Sequence, residues 1–136
     1  MAPEASDAEL VYLELVDALE LYAAILGCTT SQAGDQLRDR AALQGALARP
    51  LNYALNENAD LALQAAALAH GIAESQTFID GNKRLALVAM LTFLEINGFT
   101  VDAPDPELAD WIISLSSGRS PAELAVLLRA RRVPLG

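Results

Sequence analysis

Residues 61–73, LALQAAALAHGIA, are alanine and leucine almost all the way round a helical wheel. A helix that is apolar on every side must be covered on every side, so residues 58–74 predict a buried central helix on which the rest of the chain packs. The wider composition points the same way. Hydrophobic residues make up 53% of the 136 and aromatics only 5%, so alanine and leucine supply the core. That favours packed helices over a β-sandwich. The length is about that of one domain, long enough to bury a core without disulfides or a structural metal, and residues 1–136 are read as a single domain.

Charge and rare residues narrow the functions open to such a bundle. Eighteen acidic and nine basic residues leave a net charge of −9, which opposes nucleic-acid binding. No Lys or Arg precedes Arg38, and cations gather at Lys83–Arg84 and at Arg129, Arg131 and Arg132. A small basic spot on an acidic body suits a local anion site. The lone cysteine, Cys28, rules out an internal disulfide and fits a reducing compartment. With His70 the one histidine, no Cys/His zinc site can be assembled. The N-terminus lacks the pattern of a signal peptide, and the apolar stretches near 61–69 and 85–94 are too short or too interrupted to span a bilayer. The expectation is a soluble cytoplasmic protein that partners neither nucleic acid nor membrane.

Start and stop signals divide the chain into about six helices, an all-α compact bundle. Ser6 and Glu9 form an S-x-x-E capping box ahead of the apolar run 10–26, which Gly27 ends. Residues 28–37 are small and polar and read as a loop. A second helix is expected over 39–49, ended by Pro50, with a loop or short hairpin over 51–58. Beyond the central helix, a fourth starts after Asp80 and stops at Gly98, with Leu85, Val88, Leu91, Thr92 and Glu95 at helical spacing. Residues 99–101 read as a brief extended segment. Asp105 as N-cap with Pro106 at N1 opens a fifth helix. Ser120, Pro121 and Glu123 open a sixth by the same logic, and Pro134 closes it.

The chemistry concentrates in residues 76–84, QTFIDGNKR, which read as a loop running into a helix N-terminus. Gly81 lets main chain approach a ligand closely, and the first-turn N–H groups are left without intrahelical partners. Lys83 and Arg84 then place two cations at the positive end of the helix dipole, where they oppose it. Such a pairing suits a bound anion. Asn82 offers an amide donor to a phosphate. Asp80 has two readings: a simple N-cap, or a ligand to Mg²⁺ bridging phosphate oxygens.

Phe78-Ile-Asp80-Gly-Asn-Lys-Arg84 resembles the core of the Fic/Doc (Fido) family motif, HxFx[DN][AG]N[GK]R, and lysine at position 83 resembles the Doc-like (death-on-curing) toxin branch. LRDRAAL at 37–43, ALARP at 46–50 and FLEING at 93–98 are similar to further stretches of Doc-like proteins. The resemblance implies the Fic/Doc (Fido) fold and a toxin-type transferase that moves a phosphoryl or nucleotidyl group from ATP to a protein hydroxyl. It also implies that Asp80 holds Mg²⁺, that Gly81 and Asn82 contact phosphates, that Lys83 and Arg84 grip them, and that Phe78 is a buried anchor for the loop. An antitoxin-like partner covering the cleft is implied as well.

The motif's first residue, the histidine that serves as general base, is here Gln76, and Thr77 and Glu74 replace the frequent proline and a basic residue. Glutamine can orient a hydroxyl but has no site to take its proton, a loss of about 10²–10⁴-fold in rate. A carboxylate at Glu74 repels a nearby polyphosphate. His70, Cys28 and Trp111 read as packed or incidental residues, and the Arg129–Arg131–Arg132 cluster as a solvated helix end or a dock for an acidic segment. Three functions are open: an impaired transferase, a degenerate domain that binds a partner without turnover, and a repurposed enzyme for a phosphorylated or sulfated small molecule. The alanine- and leucine-rich surface further predicts a small partner protein or a homo-oligomer.

Overall fold

The structure is a computed structural model that describes residues 10–136; the Ser6–Glu9 capping box lies outside the described residues. The chain runs α1 (Leu15–Leu26), α2 (Thr30–Asp35), α3 (Arg40–Glu57), α4 (Leu61–Glu74), α5 (Asn82–Ile96), β1 (Phe99–Val101), α6 (Asp105–Ser116), α7 (Pro121–Arg131) and β2 (Arg132–Pro134). It is an all-α bundle with one two-stranded antiparallel ribbon, in which Thr100 faces Val133.

The alanine-rich segment is the hub. Ten of the 14 residues of α4 are buried, and α3, α5, α6 and α7 all pack on it. Its one fully buried polar side chain, Gln64, donates to Ala59 O at 3.0 Å and accepts from the Tyr12 hydroxyl at 2.8 Å, so burial leaves its amide satisfied. On α5 the buried stripe is Leu85, Ala86, Ala89, Met90, Phe93 and Leu94. Val88, Leu91 and Thr92 are only half-buried at its margins, and Glu95 is exposed. Trp111, Ile112 and Leu115 are core residues, as expected. Among the described residues no helix is long and apolar enough to cross a membrane.

Several boundaries differ from the local signals. Pro50 does not end α3; it lies inside the helix, buried on the stripe Leu43, Ala46, Leu47, Pro50 and Ala54. Proline in a helix interior costs about 3 kcal/mol, and packing of that stripe beneath α4 outweighs it. The helix stops instead at Asn58, in the left-handed region at φ 52°. Residues 28–37 contain a short helix, α2, opened by a reciprocal cap in which Gln32 N–H donates to Thr29 Oγ1 and Thr29 N–H to Gln32 Oε1. The bundle therefore has seven helices among the described residues. α1 starts only at Leu15, where Asp17 accepts from the Glu14 N–H at 2.7 Å, and Gly27 ends it in the left-handed conformation. α6 begins one residue early, with Pro104 as its cap and Pro106 in the first turn. The Ser120–Glu123 box is present in both directions. α7 ends before Pro134, because residues 132–134 leave the helix to pair with β1.

The three C-terminal arginines are partly exposed, and each already has a partner within the chain. Arg129 binds both carboxylate oxygens of Asp60 at 2.7 and 3.0 Å. Arg131 reaches Glu107 at 2.7 Å and Asp102 O at 2.9 Å, and Arg132 lies 4.9 Å above the Phe99 ring. The cluster is a clasp fastening the end of the chain to α4, β1 and α6.

Candidate anion site at the start of α5

The site is a loop of six residues, 76–81, held from three directions. Its carboxyl end is closed by Asn82: Oδ1 accepts from Thr77 Oγ1 and from the Phe78 N–H, each at 3.0 Å, and Nδ2 donates to Phe78 O at 3.0 Å. The Asn82 amide thus shapes the loop through Oδ1 and one of its two Nδ2 hydrogens, and the residue adds its main-chain N–H at the cavity. The outer edge pairs with the α2–α3 connection. Thr77 O accepts from Arg38 N at 2.7 Å, Ile79 N donates to Gln36 O at 3.2 Å, and Leu37 and Phe78 form an antiparallel bridge. Beneath lies α1: the fully buried Phe78 stacks on Tyr22 with ring centroids 3.7 Å apart, and the Tyr22 hydroxyl donates to Asp80 O at 2.6 Å. Burial foremost, then the nearby Asp80 charge, pushes the Tyr22 phenol above its ordinary 10.0, so it stays a proton donor.

This scaffold leaves the N-terminus of α5 open. Gly81 occupies the cap position at φ 82°, a conformation that favours glycine, and supplies no side-chain cap. The first main-chain bond of the helix is Leu85 N to Gly81 O, so the N–H groups of Asn82, Lys83 and Arg84 have no intrahelical acceptor. Asp80 is not the N-cap: its Oδ1 accepts from the Gly81 N–H at 2.8 Å, outside the helix. Lys83 and Arg84 are exposed and make no ion pair among the described residues. Gln76, Asp80, Gly81, Asn82, Lys83 and Arg84, the whole set read from the sequence, line one cavity of about 330 Å³, with Ala73 and Ile79 completing its wall.

With this geometry in place, comparison with known families is decisive. The sequence model of the Fic/DOC family matches residues 12–94, more than half of the chain and all of the loop just described. The chain belongs to the Fic/DOC family. Over 70 residues it is 40% identical to Toxin Doc of Mycolicibacterium smegmatis, a stretch amounting to 50% of this chain and 54% of that protein. The chain thus spans about half the length of the curated relative it matches.

Within this Fic/DOC chain, His70 is bound up elsewhere. Its Nδ1 lies 3.1 Å from Arg49 Nη1 and its Nε2 3.2 Å from a Glu74 oxygen. A guanidinium only donates, so Nδ1 is the acceptor toward Arg49 and Nε2 the donor toward Glu74. Gly71 makes room for this arrangement, since a Cβ there would fall 3.0 Å from Arg49 Cδ. Held this way, His70 does not line the cavity, and the Glu74 carboxylate is drawn toward the imidazole. Cys28 is half-buried at the end of α1. Among the described residues no group of three or more His, Cys, Asp or Glu is placed to hold a metal. Sequence reasoning missed Tyr22 and the Gln36–Arg38 edge, because both are brought to the loop by tertiary packing alone.

Proposed function

We propose that this chain is a Doc-like, toxin-type transferase that takes Mg²⁺ and ATP at the start of α5 and moves a phosphoryl or nucleotidyl group to a protein hydroxyl, at a rate held down by Gln76. The observation that carries this reading is the first turn of α5, without a side-chain cap and with two cations that make no ion pair among the described residues, lining a cavity. The donor chemistry fits polyphosphate: free N–H groups, a lysine and an arginine converge on one end of the cavity. It also fits magnesium shared with phosphate, since one carboxylate, Asp80, supplies a single protein ligand and Mg²⁺ takes its remaining ligands from phosphate and water. When bound, Mg²⁺-ATP supplies the transferable group and partly neutralises its charge.

The protein's own share is then positional. The α5 N–H groups and Lys83 and Arg84 hold phosphate oxygens, and Asp80 orients the metal. Gln76, at the rim, orients the acceptor hydroxyl without accepting its proton. Transfer through a loose transition state leans more on positioning and charge than on the base, which leaves room for residual activity. An antitoxin-like protein is the partner proposed for this cleft.

Incubation of the wild type and Gln76→His with labelled ATP, Mg²⁺ and a bacterial lysate tests this. Gln76→His raises labelling by about 10²-fold, and the gain titrates in near pH 6.5, as for an ordinary histidine. A fast wild type slowed by the substitution overturns the reading and favours a repurposed enzyme. Gln76 itself favours one other reading, a partner-binding domain without turnover. That reading wins if neither variant labels any protein while both fold and bind ATP.

A further inference from the structure

We propose that Tyr22 is a positioning residue: it fixes the peptide between Asp80 and Gly81 and, through that peptide, the Asp80 carboxylate. The residue lies on α1, 58 positions before Asp80, outside the loop and its motif. Its hydroxyl donates to Asp80 O at 2.6 Å from a side chain only 1% exposed. In a trans peptide the C=O and N–H of one unit point opposite ways. With the carbonyl drawn inward to the phenol, the Gly81 N–H faces outward, where Asp80 Oδ1 accepts it at 2.8 Å. One buried hydroxyl thereby sets the direction of a carbonyl, an N–H and a carboxylate.

The peptide needs such a lock because its second residue is a glycine. Gly81 has no Cβ and is free to turn, so the peptide meets little steric resistance to rotation. Turned over, it presents the Asp80 carbonyl oxygen to the cavity and sends the Gly81 N–H inward. An anion site then gains a carbonyl acceptor at its edge, and the Asp80 carboxylate loses the Gly81 N–H that holds it. The Tyr22 ring is well placed to prevent this: it is stacked on Phe78 and lies 3.4 Å from where a Cβ on Gly81 would sit. Phenylalanine would fill the same space, so the hydroxyl is the element that packing does not account for.

The effect on binding rests on the anion-site reading of α5, and the effect on the peptide does not; the experiment separates them. In the full chain, Tyr22→Phe is compared with the wild type and with Ile112→Val, a core substitution on α6. Calorimetry with inorganic pyrophosphate and Mg²⁺ gives affinity, the Gly81 amide resonance reports the peptide, and Tm reports stability. Tyr22→Phe is expected to weaken pyrophosphate about 10-fold, about 1.4 kcal/mol, and to shift or split the Gly81 resonance. Ile112→Val is expected to lower Tm at least as much while leaving affinity within about twofold of wild type. An unchanged affinity with an unchanged Gly81 resonance in Tyr22→Phe overturns the proposal. So does an equal loss of affinity in Ile112→Val. If the wild type binds no pyrophosphate, the anion reading falls, and the Gly81 resonance alone decides the role of Tyr22: moved supports it, unmoved overturns it.

Discussion

At the start of α4, Asp60 caps the helix with Oδ1 on the Leu63 N–H at 2.9 Å, and Arg129 closes over the same carboxylate. At the start of α5, residue 81 is a glycine that offers no cap, and the next two side chains after Asn82 are cations. The two ends carry the same partial positive charge and the same unsatisfied donors. One is completed from within the chain and serves the fold. The other is rigidly held by its loop and left incomplete, even at a cost of about 0.3–1 kcal/mol for each cation against the dipole. Incomplete polar chemistry on a fully supported scaffold is the ground for proposing a binding site at the second.

The largest expected effect comes from stripping the open end. Lys83→Ala with Arg84→Ala removes two charged contacts, each worth about 1.5 kcal/mol, so affinity for Mg²⁺-ATP falls about 10²-fold by calorimetry with the fold intact. Next is the closed end. Asp60→Ala loses a cap worth about 1 kcal/mol and a half-exposed ion pair worth about 0–1. Its urea midpoint drops accordingly, while Asp60→Asn, which keeps a capping oxygen, drops less.

Making the open end resemble the closed one sharpens the contrast. Lys83→Glu puts an acid in the first turn of α5, so stability rises by about 0.3–1 kcal/mol while ATP affinity falls. Opposite signs from one substitution are the signature of a site held at the expense of its helix. The smallest effect is in acid. The hydrogen bond from Arg129 holds the Asp60 carboxyl below its ordinary 3.8. The contribution of Asp60 is therefore fully present above that value and is lost as pH falls through the depressed one. Asp60→Asn flattens that acid limb in a denaturation series across pH 2–6, by a few tenths of a kcal/mol.

What was legible in the sequence was local. The all-round apolar pattern of α4, the Gly27 stop and the Ser120–Glu123 box each depend on residues within a few positions of one another. So did the cavity-lining set, since a loop running into a helix keeps positions 76–84 together. Other features were decided over longer range. Pro50 is carried through α3 by burial against α4. Tyr22 and Gln36 reach the loop from α1 and the α2–α3 connection, and Arg129 finds Asp60 across 69 positions of chain. The T-x-x-Q box of α2 was readable, but its small polar residues masked it as a loop.

The central claim is that α5, and not α4, receives an anion at its N-terminus. Amide proton–nitrogen spectra of the wild-type chain, recorded while Mg²⁺-ATP is added, test it most directly. The amides of Asn82, Lys83, Arg84 and Leu85 should move together along one saturating curve while those of Ala62, Leu63 and Gln64 stay in place. Shifts at the start of α4, or none at the start of α5, contradict the account.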